Sequence, residues 1–165
     1  MANHAIVRTD LMHGTDNRAD LVSIKYMGAD GRTPTAIDNG NVLKAGALLE
    51  GEREVLVGSA VSTDTALNDI VLVASPEVMY DERKRNLEDY ENVAGKVCRG
   101  YRLRSGDIFS VTAEAFSVTP STSHKVVELA AGTKLKPAAS ATSPIGDIIA
   151  VETVGRYTYY VIRIR

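Results

Sequence analysis

The chain has 165 residues, 44% of them hydrophobic, and a formal net charge of −2, so no global field draws it to nucleic acid or to an anionic membrane. This length suits one compact domain, the longest apolar runs fall far short of the ~20 residues of a membrane helix, and MANHAIVRTD lacks the features of a signal peptide. The single cysteine, Cys98, excludes an intramolecular disulfide, and we expect a protein made in a reducing cytoplasm with no membrane partner.

The first 35 residues are polar and are interrupted by glycines and a proline. Within them only DLVSIKY (20–26) predicts a strand. Two interpretations fit this segment: an arm that stays extended until it meets a partner, or a frayed terminus followed by an edge strand. We therefore divide the chain into an extended N-terminal arm and edge strand (1–35) and a β-barrel-like body (36–165).

The body contains short apolar stretches separated by glycines. LKAGAL (43–48), LRSGDI (103–108) and LAAGTKL (129–135) each place a glycine between apolar residues. Because glycine adopts positive φ without steric cost, these glycines predict corners between strands. EVLVGSAV (54–61) and DIVLVA (69–74) are short and rich in β-branched residues, which favours strands.

The C-terminal third also alternates between apolar and polar residues. The apolar phase changes at Phe116, which predicts a β-bulge near Ala115. Gly155 is expected to turn the chain into a last strand in which Ile162 and Ile164 share one face. The whole pattern predicts an all-β fold, a barrel-like or sandwich body of short antiparallel strands joined by glycine turns, with at most one short helix.

Residues 76–93 do not follow the strand pattern. Ser75 could cap a helix with Pro76 at its first position, and Tyr80, Arg83 and Leu87 have helical spacing. A helix of about three turns and a charged loop both fit this segment.

Basic residues are concentrated at 96–104 and at 83–85. On a strand, Lys96, Arg102 and Arg104 share one face, which we expect to be solvated. Acidic neighbours at 88–91 offset the second group, and the aromatic residues needed for base stacking are few. We therefore expect no nucleic-acid partner. The candidate protein-contact residues are Lys96, Arg102, Arg104, Arg83, Lys84 and Arg85.

No catalytic or metal-binding motif is evident in the sequence. The histidines are far apart, and the acidic residues around His13 and in DNGN (38–41) lack EF-hand spacing, so the DNGN stretch indicates an ordinary tight turn. Nucleophile-elbow, P-loop and dinucleotide-binding motifs are missing, and Cys98 is predicted to be a half-buried strand residue. We expect no enzyme activity, no metal and no cofactor.

Several strand-and-turn segments resemble those of a known family. They are IDNGNVL (37–43), ERE (52–54), NDIVLVASPEVMYD (68–81), AGK (94–96), RGYRL (99–103), GDIF (106–109) and GRYTYYV (155–161). Over roughly residues 36–165 the chain resembles the head decoration (cement) proteins of tailed bacteriophages.

This resemblance implies a β-rich body without a cofactor that binds the outer capsid surface and stabilises the coat-protein lattice. The implied partners are the phage major capsid protein and other copies of the chain itself, and the implied location is the virion surface after synthesis in the host cytoplasm. The resemblance leaves open whether the protein acts as a monomer or a trimer. Two alternatives stay open: a phage tail or baseplate structural protein, and a carbohydrate-binding β-module that uses Tyr101, Tyr157, Tyr159 and Tyr160.

Overall fold

The structure is a computed structural model that describes residues 3–12 and 20–165. Its strands form a closed barrel and a separate sheet, which confirms the predicted all-β class. The strands are β1 (Leu21–Tyr26), β2 (Val42–Leu48), β3 (Val55–Ser59), β4 (Ile70–Val73), β5 (Cys98–Arg102), β6 (Ile108–Thr112), β7 (Val126–Leu129), β8 (Leu135–Ala138), β9 (Gly146–Val154) and β10 (Tyr157–Ile164). In these residues the only helical elements are short 3-10 turns at Thr9–Leu11, Leu67–Asp69, Leu87–Asp89 and Ala113–Ala115.

The barrel has the strand order β1-β3-β2-β4-β5 and closes between β5 and β1. The sequence predicted antiparallel strands throughout, but β1 and β3 are parallel. The prediction that the strand near 20–26 is an edge strand was wrong, since β1 is paired with β3 on one side and with β5 on the other. A long connection between β1 and β2 lets the β2–β3 hairpin return so that β3 lies beside β1.

The barrel interior is filled by aliphatic side chains. Ile24, Leu43 and Val71 are fully buried there, and Gly100 leaves room for them because a Cβ at this position would overlap Val71 Cγ1. All four residues of β4 are buried. Val71 and Val73 face the interior, whereas Ile70 and Leu72 belong to the larger core outside the barrel, which explains the continuous apolar run IVLV.

The second sheet has the order β6-β10-β9-β7-β8 and is antiparallel. It packs against the outside of β2 and β4, and the larger core lies between the two layers. Gly155, with φ 60°, forms the predicted turn between β9 and β10. At the position of the predicted bulge, β6 ends and the 3-10 turn Ala113–Ala115 changes the phase.

The start of the chain is docked onto its own sheet. Ala5, Ile6 and Val7 are buried, and Thr112 N donates to Ile6 O at 3.0 Å while Arg8 N donates to Ser110 O at 2.8 Å. The expectation of an arm that remains extended until it meets a partner was therefore wrong for residues 5–8, which cover the free edge of β6. His13 and Asp16 of the acidic cluster lie outside the described residues.

The segment 76–93 is a loop, and its helical content is the single 3-10 turn Leu87–Asp89. Asn86 and Asp89 form a capping box around this turn. Within the described residues, no helix is both long and apolar enough to cross a membrane.

Candidate protein-contact surface

A groove lies where the start of β5, the start of β1 and the segment 75–78 meet. Its main part has a volume of about 460 Å³, and a second part of about 310 Å³ lies along the same segment. Ser75, Pro76, Val78 and Arg99 line both parts, so the two are continuous around Pro76. We call this the Pro76 groove. Its other lining residues are Thr9, Leu21, Val22, Ser23, Ala74, Glu77, Lys96, Val97, Cys98 and Tyr101.

Three large apolar side chains of the groove are open to solvent. Leu21 is 51% exposed, Val78 is 55% exposed and Val97 is 42% exposed. Lys96 and Arg99 add two cations to the same lining. Clustered exposed apolar residues with a polar rim are typical of a surface that another protein covers.

A buried polar network fixes the wall of the groove. Ser75 N donates to Asn39 Oδ1 at 2.9 Å, and Asn39 Nδ2 donates to Ser75 O at 2.8 Å. The Ser75 hydroxyl accepts from Arg99 N at 3.0 Å. Ser75 therefore joins the DNGN turn to β5 and caps no helix, which corrects the sequence-based expectation.

The network continues to the far end of the loop. Asn92 Nδ2 donates to Asn39 Oδ1 at 3.0 Å, and Tyr90 OH donates to Asn92 Oδ1 at 3.1 Å. Lys96 Nζ donates to Tyr90 OH at 2.9 Å and lies 4.9 Å from the centre of its ring. Both ends of the loop are thus anchored to buried, hydrogen-bonded groups, which makes the groove a preformed site.

The predicted basic row is divided by the fold. Cys98 and Gly100 are buried and β5 ends at Arg102, so the prediction of one solvated face carrying Lys96, Arg102 and Arg104 was wrong. Of these three cations, Lys96 lines the Pro76 groove. Arg102 Nη1 donates to Asn68 O at 3.0 Å, and Arg104 binds Asp20. Side chains of β5 alternate between the two sides of the strand, as predicted. The side that carries Cys98 and Gly100, however, faces the barrel interior and not solvent.

The second basic group, Arg83, Lys84 and Arg85, lies in the loop and does not line the Pro76 groove. Arg83 binds Asp81 at 2.9 Å, and Arg85 Nε donates to Glu82 O at 2.7 Å. The pKa of Asp81 is lowered chiefly by its hydrogen bond from Arg83, with a smaller contribution from Lys84. Arg83 is therefore paired with an acid of its own loop and Arg85 with a backbone carbonyl, whereas Glu88 and Glu91 lie against Arg156 and His4.

The groove residues that sequence reasoning missed are Leu21, Val78, Val97 and Arg99. For Val78 the sequence did contain a signal: the apolar residues 78–80 interrupt a charged stretch that is not a strand. Such residues are expected at the surface, and Tyr80 is indeed 94% exposed. Val97 and Leu21 carried no such signal, because a strand-like apolar residue usually indicates a core position.

Cys98 lacks the environment of a nucleophile. It is 2% exposed rather than half-buried as predicted, and burial raises the pKa of its thiol to about 11. The thiol is therefore neutral near pH 7, and its Sγ lies 3.7 Å from Lys96 O.

His4 is the histidine that contacts carboxylates in the described part of the chain. Residues 3–12 and 20–165 contain no group of three or more His, Cys, Asp or Glu that could hold a metal ion. His4 Nδ1 lies 2.8 Å from Asp38 Oδ1, and His4 Nε2 lies 3.8 Å from Glu91 Oε2. His4 therefore links the start of the chain to the DNGN turn, through Asp38, and to the end of the loop 76–93, through Glu91.

The tyrosines of the carbohydrate alternative are in different environments. Tyr101 lies on β5 of the barrel, whereas Tyr157, Tyr159 and Tyr160 lie on β10 of the sheet. Tyr159 is buried, and the ring of Tyr160 packs edge-on against Phe116 with the centroids 5.5 Å apart. The four rings do not form one exposed stacking platform.

The fold places the chain in the class of all-β proteins in which a five-stranded closed barrel packs on a five-stranded antiparallel sheet. Compared with protein-family models, with curated proteins and with solved structures, the chain has no match.

Proposed function

We propose that this chain is a structural virion protein of a tailed phage, a head decoration protein that binds the outer capsid surface through the Pro76 groove. The observation that carries this proposal is the combination of three exposed apolar side chains and two cations on one groove with a hydrogen-bonded wall. The resemblance of residues 36–165 to decoration proteins supports the choice of partner, the major capsid protein.

The groove suits an apolar coat-protein segment with acidic neighbours. Leu21, Val78 and Val97 would lose their contact with water, and Lys96 and Arg99 would meet the acidic side chains at the rim. Because the hydrogen-bonded wall is already ordered, binding would cost little further conformational entropy. Many copies acting on one lattice make a modest contact sufficient, and a copy that spans two coat subunits would hold them together.

In this proposal the protein acts by adhesion alone, without catalysis, a cofactor or nucleic acid. Its acidic and basic residues balance each other, and the neutral, buried Cys98 offers no reactive thiolate. A tail or baseplate location would use the same kind of contact surface, so the experiment below includes it as an outcome.

The test uses capsids of the encoding phage prepared without this chain, mixed with the purified full-length protein and sedimented. We expect the wild-type protein to co-sediment, and we expect a double variant, Val78→Glu with Val97→Glu, to lose about tenfold or more in affinity. Val118→Glu is the matched control, because Val118 is equally apolar and exposed but does not line the groove. Circular dichroism and thermal unfolding of each variant check that the fold is intact.

Three results would contradict the proposal: wild-type protein that stays in the supernatant at every salt concentration, groove variants that bind as tightly as the wild type, and immunogold label on tails. The last result would favour the tail or baseplate alternative. Weaker binding of Lys96→Glu at low salt, with a smaller loss at high salt, would show that the rim cations contribute.

A further inference from the structure

The five-stranded sheet has covered edges at β6 and β8. At β6, residues 5–8 of the chain supply the hydrogen bonds to Ser110 and Thr112 described above. At β8, Ser117 N donates to Leu135 O at 2.8 Å, and Pro137 has no amide hydrogen to offer. Covering an edge in these ways prevents unwanted strand pairing, because it removes free backbone donors and acceptors.

Strand β9, by contrast, has a side that is partly uncovered. It pairs with β10 from Gly146 to Val154, with a bulge at Ile149, but with β7 only at Gly146 and Asp147. Ile148 N donates to Lys125 O at 2.9 Å, and beyond this point no described strand pairs with that side of residues 149–154. We call these residues the β9 outer edge.

The β9 outer edge is long and mostly apolar. Val151 is 59% exposed, Val154 is 47% exposed and Ile149 is 45% exposed, and Glu152 is the one charged residue in the stretch 149–154. It contains no proline or lysine, the residues with which proteins usually protect an exposed edge. An edge with these properties, in a sheet whose other edges are covered, indicates a place for an added strand.

We propose that two copies of this chain pair antiparallel along their β9 outer edges, around a two-fold axis at Val151. This arrangement is an interface between copies and does not depend on the capsid role. In an antiparallel pair centred on Val151, each Val151 lies opposite its counterpart, and Glu152 lies opposite the partner's Ala150. No like charges are then directly opposite, and β-branched apolar residues face each other at the centre.

Glu152 also has a cation nearby in its own chain. The pKa of Arg8 is raised chiefly by its hydrogen bond to Asp10, with smaller attractive contributions that include Tyr159 and Glu152. The guanidinium of Arg8 lies 5.5 Å from the centre of the Tyr159 ring, and Tyr159 is the β10 neighbour of Glu152. Arg8 is itself paired with Asp10, so it offsets only a small part of the repulsion between the two diagonal Glu152 side chains of the proposed dimer.

A cleft beside the β9 outer edge offers space for side chains of the added strand. It has a volume of about 240 Å³, and its lining includes Ile149, Val151 and Tyr160 together with His124 and Lys125. Strand addition gains its affinity from main-chain hydrogen bonds and its selectivity from such adjacent pockets. The cleft has a polar side, formed by Ser121, Thr122, His124 and Lys125, and an apolar side along β9. The short β-branched side chains of IIAVETV (148–154) are small enough to enter it, so the edge and the segment that would pair with it are parts of the same sequence.

The test is analytical ultracentrifugation of the full chain over a range of concentrations. We expect a reversible dimer for the wild type, and about a tenfold or greater rise in the dimer dissociation constant for Val151→Lys, because two ammonium groups would then oppose each other. Val118→Lys, a change of the same kind at an exposed valine outside the edge, should leave the dimer unchanged.

A second variant keeps the test independent of how Val151→Lys folds. Val151→Cys should form a cross-linked dimer under mild oxidation, since the two side chains lie opposite each other, whereas Val118→Cys should not. A wild-type chain that is monomeric at all concentrations overturns the proposal. So does an assembly that survives Val151→Lys while Val151→Cys fails to cross-link.

Discussion

Arg104 binds the buried carboxylate of Asp20 with Nε 2.9 Å from both carboxylate oxygens and Nη2 2.7 Å from Oδ1. Asp20 immediately precedes β1 and Arg104 lies just beyond the end of β5, and these two strands close the barrel. The backbone of Asp20 joins the same strand end, because Arg102 N donates to Asp20 O at 2.9 Å. The cation that the sequence suggested as a partner contact is therefore part of the barrel closure.

The first prediction concerns this ion pair. Arg104→Ala should lower the urea midpoint of unfolding clearly, because a buried carboxylate would lose its bidentate cation. The urea midpoint of Arg104→Lys should lie between those of the wild type and Arg104→Ala, since an ammonium keeps the charge but not the planar two-donor geometry. Arg83→Ala is the control: it removes a pair of similar length, 2.9 Å to Asp81, from an exposed loop, and we expect almost no change in the urea midpoint. Equal effects at the two arginines would contradict the role of Arg104 in barrel closure.

The second prediction concerns the barrel interior. Gly100→Ala should reduce the free energy of unfolding by about 3 kcal/mol, because the new methyl group would overlap Val71 Cγ1 and lie 3.3 Å from Ile24 Cγ2. Gly51→Ala separates backbone strain from packing, since Gly51 has φ 82° and no atom within 4 Å of an added Cβ. It should cost about 1 kcal/mol. Similar losses for both variants in chemical denaturation would show that the interior accommodates the methyl group.

The strands could be predicted from sequence where a local pattern determines them. DIVLVA has the β-branched composition of a buried strand, and Gly155 occupies a turn position that needs positive φ. Which strands pair with each other cannot be predicted from a local pattern in the same way. The parallel ladder between Leu21–Tyr26 and Val55–Ser59 depends on residues about thirty positions apart, so nothing local distinguishes β1 from an edge strand.

The contact surface was less predictable for the same reason. Arg104 appeared to be a free cation because its partner, Asp20, lies 84 positions away. The exposure of Val97 could not be read from the sequence, because exposure depends on what the rest of the chain leaves uncovered. Lys96 was predicted correctly to lie at an exposed position, but its neighbours in the Pro76 groove come from β1 and from the segment 75–78, which only the tertiary structure brings together.

The third prediction concerns the first residues. Deleting residues 2–8 should reduce the free energy of unfolding by about 4 kcal/mol, because Ile6 and Val7 each contribute about 1.5–3 kcal/mol through burial. Hydrogen exchange provides a local measurement. The Thr112 amide, which donates to Ile6 O, should lose protection more than the Ile164 amide, which donates to Asp107 O. If the truncated protein were as stable as the wild type, residues 5–8 would not contribute to the stability of the fold, and the prediction would be wrong.

The fourth prediction concerns the thiol of Cys98. At pH 8 iodoacetamide should label the native protein far more slowly than the urea-unfolded protein, because the buried thiol has a pKa of about 11 and exposes no thiolate. In the unfolded chain the same thiol titrates near pH 8.5. Its raised pKa therefore contributes stability that is complete below about pH 8.5 and is lost as the pH rises towards 11.

The alkaline stability profile gives the matching measurement. Burial also raises the pKa of Tyr26 and Tyr159, so all three groups lower stability at high pH. Comparing the wild type with Cys98→Ala isolates the thiol: between about pH 9 and pH 11 the wild type should lose up to about 1.4 kcal/mol more per pH unit than the variant. Parallel profiles, together with rapid native labelling, would mean that the start of β5 opens to solvent, and the rigid wall that makes the Pro76 groove a preformed site would then be lost.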